Sequence, residues 1–130
     1  MSTDELIAEA DEICARYRDR EAPLRAAIPR DDSSESYRRV GELLPQLAVL
    51  LREQVDELRR LEAPAELEPE WRVNLDRLGR SADLLDEGGA AAAAHDRDRF
   101  VAVETEARKL ELETAAFAQR VGFSVCGREI

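Results

Sequence analysis

The fold is indicated most clearly by the stretch VGELLPQLAVLLREQVDELRRLEAP, residues 40–64. Alternating steps of four and three residues relate Val40, Leu44, Leu47, Leu51, Gln54, Leu58 and Leu61. This spacing places them on one face of an α-helix, where only Gln54 is polar. Three further stretches repeat the pattern, from Ile7 to Ile28, from Trp71 to Leu85 and from Phe100 to Val121. The sequence therefore predicts an all-α, antiparallel up-down four-helix bundle.

The helix boundaries follow from capping residues and helix breakers. One domain, residues 1–130, is predicted to contain helices at 4–28, 34–62, 69–94 and 97–121 and a docked tail at 122–130. Asp32 with Glu35 fits a capping box before the second helix, and Gly122 suits the end of the fourth. Pro23 and Pro45 interrupt stripes that continue beyond them, so kinked helices are expected there.

Composition and charge exclude several classes of partner. The chain has 29 acidic and 19 basic residues and a net charge of −10, which disfavours nucleic-acid backbones and anionic membranes. No apolar run reaches the roughly 20 residues of a membrane span. The acidic start lacks the zones of a signal peptide and predicts a cytoplasmic chain, with an exported or membrane-tethered form as the alternative. Oligomeric state and any protein partner stay open.

The sequence does not contain an arrangement typical of catalysis. His95 is the only histidine, and it is expected in a solvated turn after a third helix that continues through Gly88 and Gly89. Four glutamates of the last helix lie beside its apolar stripe, and we interpret them as an outer, solvated face: Glu104, Glu106, Glu111 and Glu113. No Glu-x-x-His motif, calcium loop or phosphate-binding glycine loop is found. We expect no enzyme activity, no catalytic residue, no cofactor and no metal.

Two polar residues interrupt the stripes. Gln54 and Thr114 either set the register of the helices or line a small polar pocket in the core. Trp71, at the start of the third stripe, is expected to cap the core. The centre of the core is predicted to contain one residue from the middle of the second stripe, two from the third and one from the fourth: Leu51, Leu75, Leu78 and Leu110.

The tail VGFSVCGREI, residues 121–130, is more apolar than a frayed chain end. Cys14 lies about 15 Å along the first helix, and the five residues after Val121 reach at most about 17 Å. The tail can therefore turn back at Gly122, bury Phe123 and Val125 in a groove and bring Cys126 to Cys14. We expect this disulfide, the alternative being two buried free thiols.

A resemblance is carried by ADEICARYRDREAPL, LLPQLAVLLREQVDELRRLEAP and AQRVGFSVCG. These segments resemble a group of small, uncharacterised helical proteins from high-GC actinobacteria. That group has one Cys early in the first helix, a Pro in the second and a closing Gly-x-x-x-Cys-Gly. The resemblance covers most of the chain in layout. It implies a helical fold and an N-terminal signal or membrane segment in many members, but no activity.

Three functions fit these features. The first is a non-catalytic structural or protein-interaction bundle. The second is a bundle that binds a small ligand or a cation, and the third is a thiol redox switch through Cys14 and Cys126.

Overall fold

The computed structural model describes residues 1–128, and its four α-helices pack against one another. They are α1 (Thr3–Ala26), α2 (Ser34–Arg59), α3 (Glu68–Ala93) and α4 (Arg97–Val121). The predicted all-α four-helix bundle is confirmed, and the predicted bounds differ from the observed ones by three residues or fewer. Glu129 and Ile130 of the predicted tail lie outside the described residues.

Ion pairs between neighbouring helices document their antiparallel course. Two ion pairs show the direction for each pair of helices. As one helix is followed toward its C-terminus, the ion-pair partners on the next helix shift toward the N-terminus of that helix. The pairs are Arg16–Glu57 and Arg20–Glu53 between α1 and α2, Arg59–Asp76 and Arg52–Asp83 between α2 and α3, and Arg80–Glu106 and Arg77–Glu113 between α3 and α4. Exposed pairs of this kind contribute little stability, about 0–1 kcal/mol each, so the apolar stripes supply most of the packing energy.

The start of α2 differs from the predicted one. The expected capping box of Asp32 and Glu35 is wrong, because Ser33 is the capping residue and accepts a hydrogen bond from the Ser36 backbone N–H. Asp31 supports this cap by accepting hydrogen bonds from the Ser33 N–H and the Ser36 hydroxyl, at 2.9 and 2.6 Å. Asp31 thus fixes the turn in which Ser33, and not Asp32, is the N-terminal capping residue of α2.

Helices α2 and α3 approach each other closely because glycines face the contact. Helix α3 continues through Gly88 and Gly89, as predicted, and both are buried. A Cβ atom on Gly89 would lie 2.9 Å from the Pro45 ring, so no larger residue fits without displacement. Pro45 and Pro23 both lie inside their helices.

Helices α1 and α4, both fully described, stay apart. No Cα atom of α1 lies within 8 Å of a Cα atom of α4, so the two backbones lie farther apart at this edge than the helices do at the other three edges of the bundle, although their side chains share one core cluster at the end where the C-terminal tail lies. The predicted central core is wrong in part, and two of its members, Leu51 and Leu78, border a cleft at this open edge. Leu75 is buried, whereas Leu51, Leu78 and Leu110 are only half-buried. The stripes identified which faces point inward but not how far apart two of the helices lie.

The C-terminal tail fills part of the gap between α1 and α4. Gly122 adopts the left-handed conformation, with φ of 107°, and reverses the chain. Phe123 is then 1% exposed, stacked on Trp71 at 5.8 Å between ring centroids and 6.1 Å from Phe117. Val125 is half-buried. We call the end of the bundle that holds this segment the tail end, and the opposite end the turn end.

Asp11 and a disulfide hold the tail in place. One carboxylate oxygen of Asp11 accepts the Val125 and Cys126 N–H groups at 3.0 and 2.9 Å, and the other accepts the Ser124 N–H at 2.9 Å. The structure also contains the Cys14–Cys126 disulfide, across a sequence separation of 112 residues. The tail is thus fastened to α1 by a covalent bond and by charge-assisted hydrogen bonds.

Gly89→Ala should destabilise the fold relative to a matched control. Alanine gains about 0.5–1 kcal/mol of helix stability at either glycine of α3. At Gly89 the new methyl group meets Pro45, and such overpacking costs about 1–3 kcal/mol. Gly79 is the control, since nothing lies within 4 Å of a Cβ atom there. Urea unfolding should find Gly79→Ala more stable than wild type and Gly89→Ala less stable than Gly79→Ala. Equal stability of the two variants would contradict the close packing.

Asp11→Asn should loosen the tail without unfolding the bundle. The amide side chain is neutral and has a single acceptor oxygen, so it weakens the hydrogen bonds made to that oxygen and removes those made to the other, since the NH2 group cannot accept. We expect a cost of about 1–3 kcal/mol in total. Hydrogen exchange of the Ser124, Val125 and Cys126 amides should accelerate. Asp19→Asn, on the exposed surface of the same helix, is the control. Unchanged exchange in Asp11→Asn would show that the disulfide alone orders the tail.

Candidate functional site

A cleft of about 650 Å³ opens at the turn end of the gap between α1 and α4. The end of α1 and the turn after it form one wall, and the first half of α4 forms the other. Helices α2 and α3 form the floor. The tail occupies the same gap at the opposite end, so the cleft is the part that the tail does not fill.

The floor and much of the walls are apolar. The floor residues are Val40, Leu44, Leu51, Leu78, Leu84 and Leu85. The walls add Ile28 from the turn after α1 and Phe100, Val103 and Ala107 from α4. The α4 residues belong to the predicted stripe, but they face the cleft instead of α1. Ala107 is small, which leaves room at the centre of the wall.

Ion pairs and a capping network form the rim. Arg25 donates two hydrogen bonds of 3.2 Å to Glu21. Glu21 is a charged residue on the apolar stripe of α1, and it is therefore only 4% exposed. Arg97 of α4 binds Asp32 at 2.6 Å and so connects the two turns at this end. Hydrogen bonds from Ser33 and Ser36 lower the pKa of Asp31 to about 2. The rim is therefore charged and held by specific contacts.

The four glutamates of α4 lie at the surface, where Glu104, Glu106 and Glu111 are exposed. Glu106 binds Arg80 at 2.8 Å and Glu113 binds Arg77 at 3.0 Å, both across to α3. Glu104 and Glu111 instead line the cleft. Partial loss of water around its carboxylate raises the pKa of Glu104 above its usual value, although the residue as a whole is exposed. The four therefore lie on an outer face, as we interpreted them, with Glu113 half-buried, and the cleft opens beside Glu104 and Glu111.

His95 lies outside the lining of this cleft. It is exposed in the turn between α3 and α4, with a positive φ of 56°. Its ring lies 6.1 Å from that of Tyr37, which in turn meets Phe100 edge-on at 5.7 Å. His95 Nε2 is 3.4 Å from the Ser34 carbonyl oxygen. Its contacts are those of a turn residue that packs against the mouth of the cleft.

Gln54 and Thr114 line a second, smaller cavity of about 50 Å³ behind the tail. The Gln54 amide donates to Cys14 Sγ at 3.3 Å, and the Thr114 hydroxyl donates to the Glu111 carbonyl oxygen at 3.0 Å. The structure thus brings these two residues together beside the disulfide. The volume suits one or two water molecules, each taking about 30 Å³ in the liquid.

Two further polar residues line this small cavity and were missed from the sequence. Within residues 1–128, the buried side-chain atoms without a hydrogen-bond partner are Trp71 Nε1 and Asn74 Oδ1. Trp71 was expected only to cap the core. Asn74 lies directly before Leu75 of the third stripe, where a polar residue gives little signal. Thr114 lines both cavities, so they adjoin each other.

Comparison with protein-family models, with curated proteins and with solved structures found no match. The resemblance to the actinobacterial group stays a prediction. Within residues 1–128, no helix combines the length and apolar character needed to cross a lipid bilayer. The same residues contain no group of three or more His, Cys, Asp or Glu side chains that could hold a metal ion.

Proposed function

We propose that this protein is a non-catalytic binding bundle that holds a small, largely apolar ligand in the cleft between α1 and α4. The observation that carries the proposal is the cleft itself, with about 650 Å³ of space over an apolar floor. Small-molecule sites in proteins typically have volumes of about 300–1,000 Å³, mostly apolar linings and a few polar groups. The cleft matches this description in size and in chemistry.

The way in which the cleft is built supports binding. The tail, fixed by Asp11 and the disulfide, occupies the gap between α1 and α4 at the tail end. At the turn end, the Arg97–Asp32 pair connects the turn after α1 to the start of α4. The tail end of the gap is thus held before a ligand arrives, and the exposed Arg97–Asp32 pair adds a weaker contact at the turn end. A site formed in advance avoids part of the ordering cost of binding.

The chemistry of the lining supports a non-catalytic role. A nucleophilic cysteine needs a free thiolate, and both cysteines are joined in the disulfide. A histidine base must lie within hydrogen-bond reach of the group that it activates. His95 instead lies in an exposed turn outside the lining.

A protein-interaction role, the first expectation from the sequence, has weaker support. Among the described residues, the exposed large apolar side chains besides Met1 are Val49, Val73, Val101 and Leu112. They are distributed over three helices instead of forming one broad apolar surface. Scattered exposed apolar residues are common on protein surfaces and need no partner. We therefore favour a ligand in the cleft over a large protein interface.

The cleft should bind a neutral apolar probe. N-phenyl-1-naphthylamine fluoresces when it enters an apolar site, and we expect a saturable signal with the wild-type protein. Ala107→Phe should abolish the signal, because the new ring occupies the centre of the cleft wall. Ala116→Phe is the matched control, since Ala116 is exposed on the same helix. Circular dichroism verifies that both variants fold. No saturable binding, or equal binding by both variants, would overturn the proposal.

A thiol switch is the second candidate, and the shared lining of the two cavities favours it. The tail carries Cys126 and closes the small cavity, which adjoins the cleft at Leu51, Leu78 and Thr114. Release of the tail would lengthen the cleft toward Trp71. Structural disulfides persist in oxidising compartments. The bridge therefore supports an exported or tethered location if it is permanent and a cytoplasmic one only if it cycles.

Reduction of the disulfide tests this second candidate. In the chain-entropy model, loss of a bridge of this span lowers the free energy of unfolding by about 4–5 kcal/mol, while the four apolar stripes remain. We expect the reduced protein to keep its helices and to bind more N-phenyl-1-naphthylamine. A Cys14→Ser, Cys126→Ser double variant, measured with and without reductant, separates the effect of the bridge from that of the reagent. Unchanged probe binding after reduction would exclude the switch.

A further inference from the structure

We propose that the occupant of the cleft is an amphipathic cation, with an apolar body and an amine or quaternary ammonium head. This inference rests on the proposed function, because it names the chemistry of the ligand for the same site. It is drawn from the charged residues of the cleft lining and from their arrangement along α4.

The cleft contains more acidic than basic charge, and most of its bases are already bound. Five carboxylates and three guanidinium groups belong to the lining. Arg25 is occupied by Glu21, and Arg97 by Asp32. The remaining guanidinium group is that of Arg30, in the exposed turn after α1. An anionic ligand would therefore have to displace existing ion pairs or bind only at the edge of the site.

The carboxylates of Glu104 and Glu111 are placed to receive a cation. They are seven residues apart on one face of α4, about 10 Å along the axis, and Ala107 leaves space between them. The ion pairs that α4 makes with α3 use Glu106 and Glu113 instead. Asp31 is the one further carboxylate of the lining that does not pair with a guanidinium group of the lining. It already accepts hydrogen bonds from Ser33 and Ser36.

Partial desolvation of Glu104, a residue that is still exposed to solvent at the mouth of the cleft, adds a reason for a cationic ligand. Loss of water around this carboxylate raises its pKa, and no compensating positive charge contributes to the shift. The nearest base along α4, Arg108, is exposed and does not belong to the lining. A bound ammonium group would supply the missing countercharge, since an opposite charge nearby favours the ionised carboxylate.

Aromatic rings lie next to the same carboxylate. Phe100 precedes Glu104 by one helical turn, and its ring meets that of Tyr37 edge-on within the cleft lining. Aromatic faces attract cations, and quaternary ammonium groups in particular are recognised by aromatic residues. The apolar floor of α2 and α3 leucines then accommodates the body of the ligand.

The test compares three amphiphiles with the same decyl chain and different heads. Decyltrimethylammonium, decyl sulfate and decyl maltoside, each below its micelle concentration, displace bound N-phenyl-1-naphthylamine from the wild-type protein. We expect the cation to compete at a concentration about five-fold or more below that of the sulfate, the ratio that roughly 1 kcal/mol of charge interaction produces. Glu104→Gln should remove most of this preference. Glu106→Gln is the matched control, because that residue faces α3.

Acidification provides a second readout. A carboxyl group with a raised pKa becomes neutral at a higher pH than an ordinary glutamate, and the arginines of the lining stay charged. The preference for the cation should thus decline from neutral to mildly acidic pH in the wild type and change less in Glu104→Gln. Equal or reversed preference, with the probe still bound, would overturn the cation and leave the binding function intact. Failure of the wild-type protein to bind the probe at all would overturn both.

Discussion

The hydrogen bonds between Asp11 and the tail connect α1 to the chain that follows α4, across the edge of the bundle where the two helix backbones stay apart. Three successive backbone N–H groups point at one carboxylate, and the chain that carries them inserts Phe123 between α1 and the end of α4. A bundle with direct α1–α4 packing would have neither the groove for this ring nor the cleft beyond it. The separation of these helices is thus the condition on which both the closed tail end and the open turn end depend.

The edge formed by α2 and α3 is packed closely, in contrast to the open edge between α1 and α4. Helices α2 and α3 meet through glycines, with Gly89 against Pro45 and Gly41 against Ala93. Such close backbone approach gives dense packing on one side of the molecule. It lets α2 and α3 form a continuous floor while α1 and α4 stand away from each other. The Gly88–Gly89 pair, through which α3 continues, is therefore part of what shapes the cleft.

The fold could be predicted from the sequence because it depends on local patterns. Alternating steps of three and four residues determine which face of each helix is apolar, and caps such as Asp96 and Gly122 determine where helices begin and end. The cleft could not be predicted in the same way. The distance between two helices depends on all the contacts of the bundle, and a stripe reads the same whether it faces a neighbour or a gap. One signal was present, since Glu21 interrupts the first stripe at the position where α1 borders the cleft.

The sequence contained more information about the small cavity than about the cleft. Gln54 and Thr114 interrupt stripes that are otherwise apolar, and a buried polar residue requires a partner. Asn74 gave no such signal because it lies beside a stripe instead of within it. Glu104 gave none because a glutamate on a helix surface is ordinary. Its environment became visible only once α4 was placed relative to the gap.

The position of the disulfide has a consequence for the covalent topology of the molecule. Cys14 and Cys126 lie near opposite ends of the chain, so the bond between them closes most of the polypeptide into a ring. A single peptide-bond cleavage in any of the turns between the helices would leave both fragments covalently joined. They would separate only after reduction. Nicking by a protease would thus open the ring without reducing the number of helices available to pack, and the cut chain would behave as a circular permutant of the original bundle.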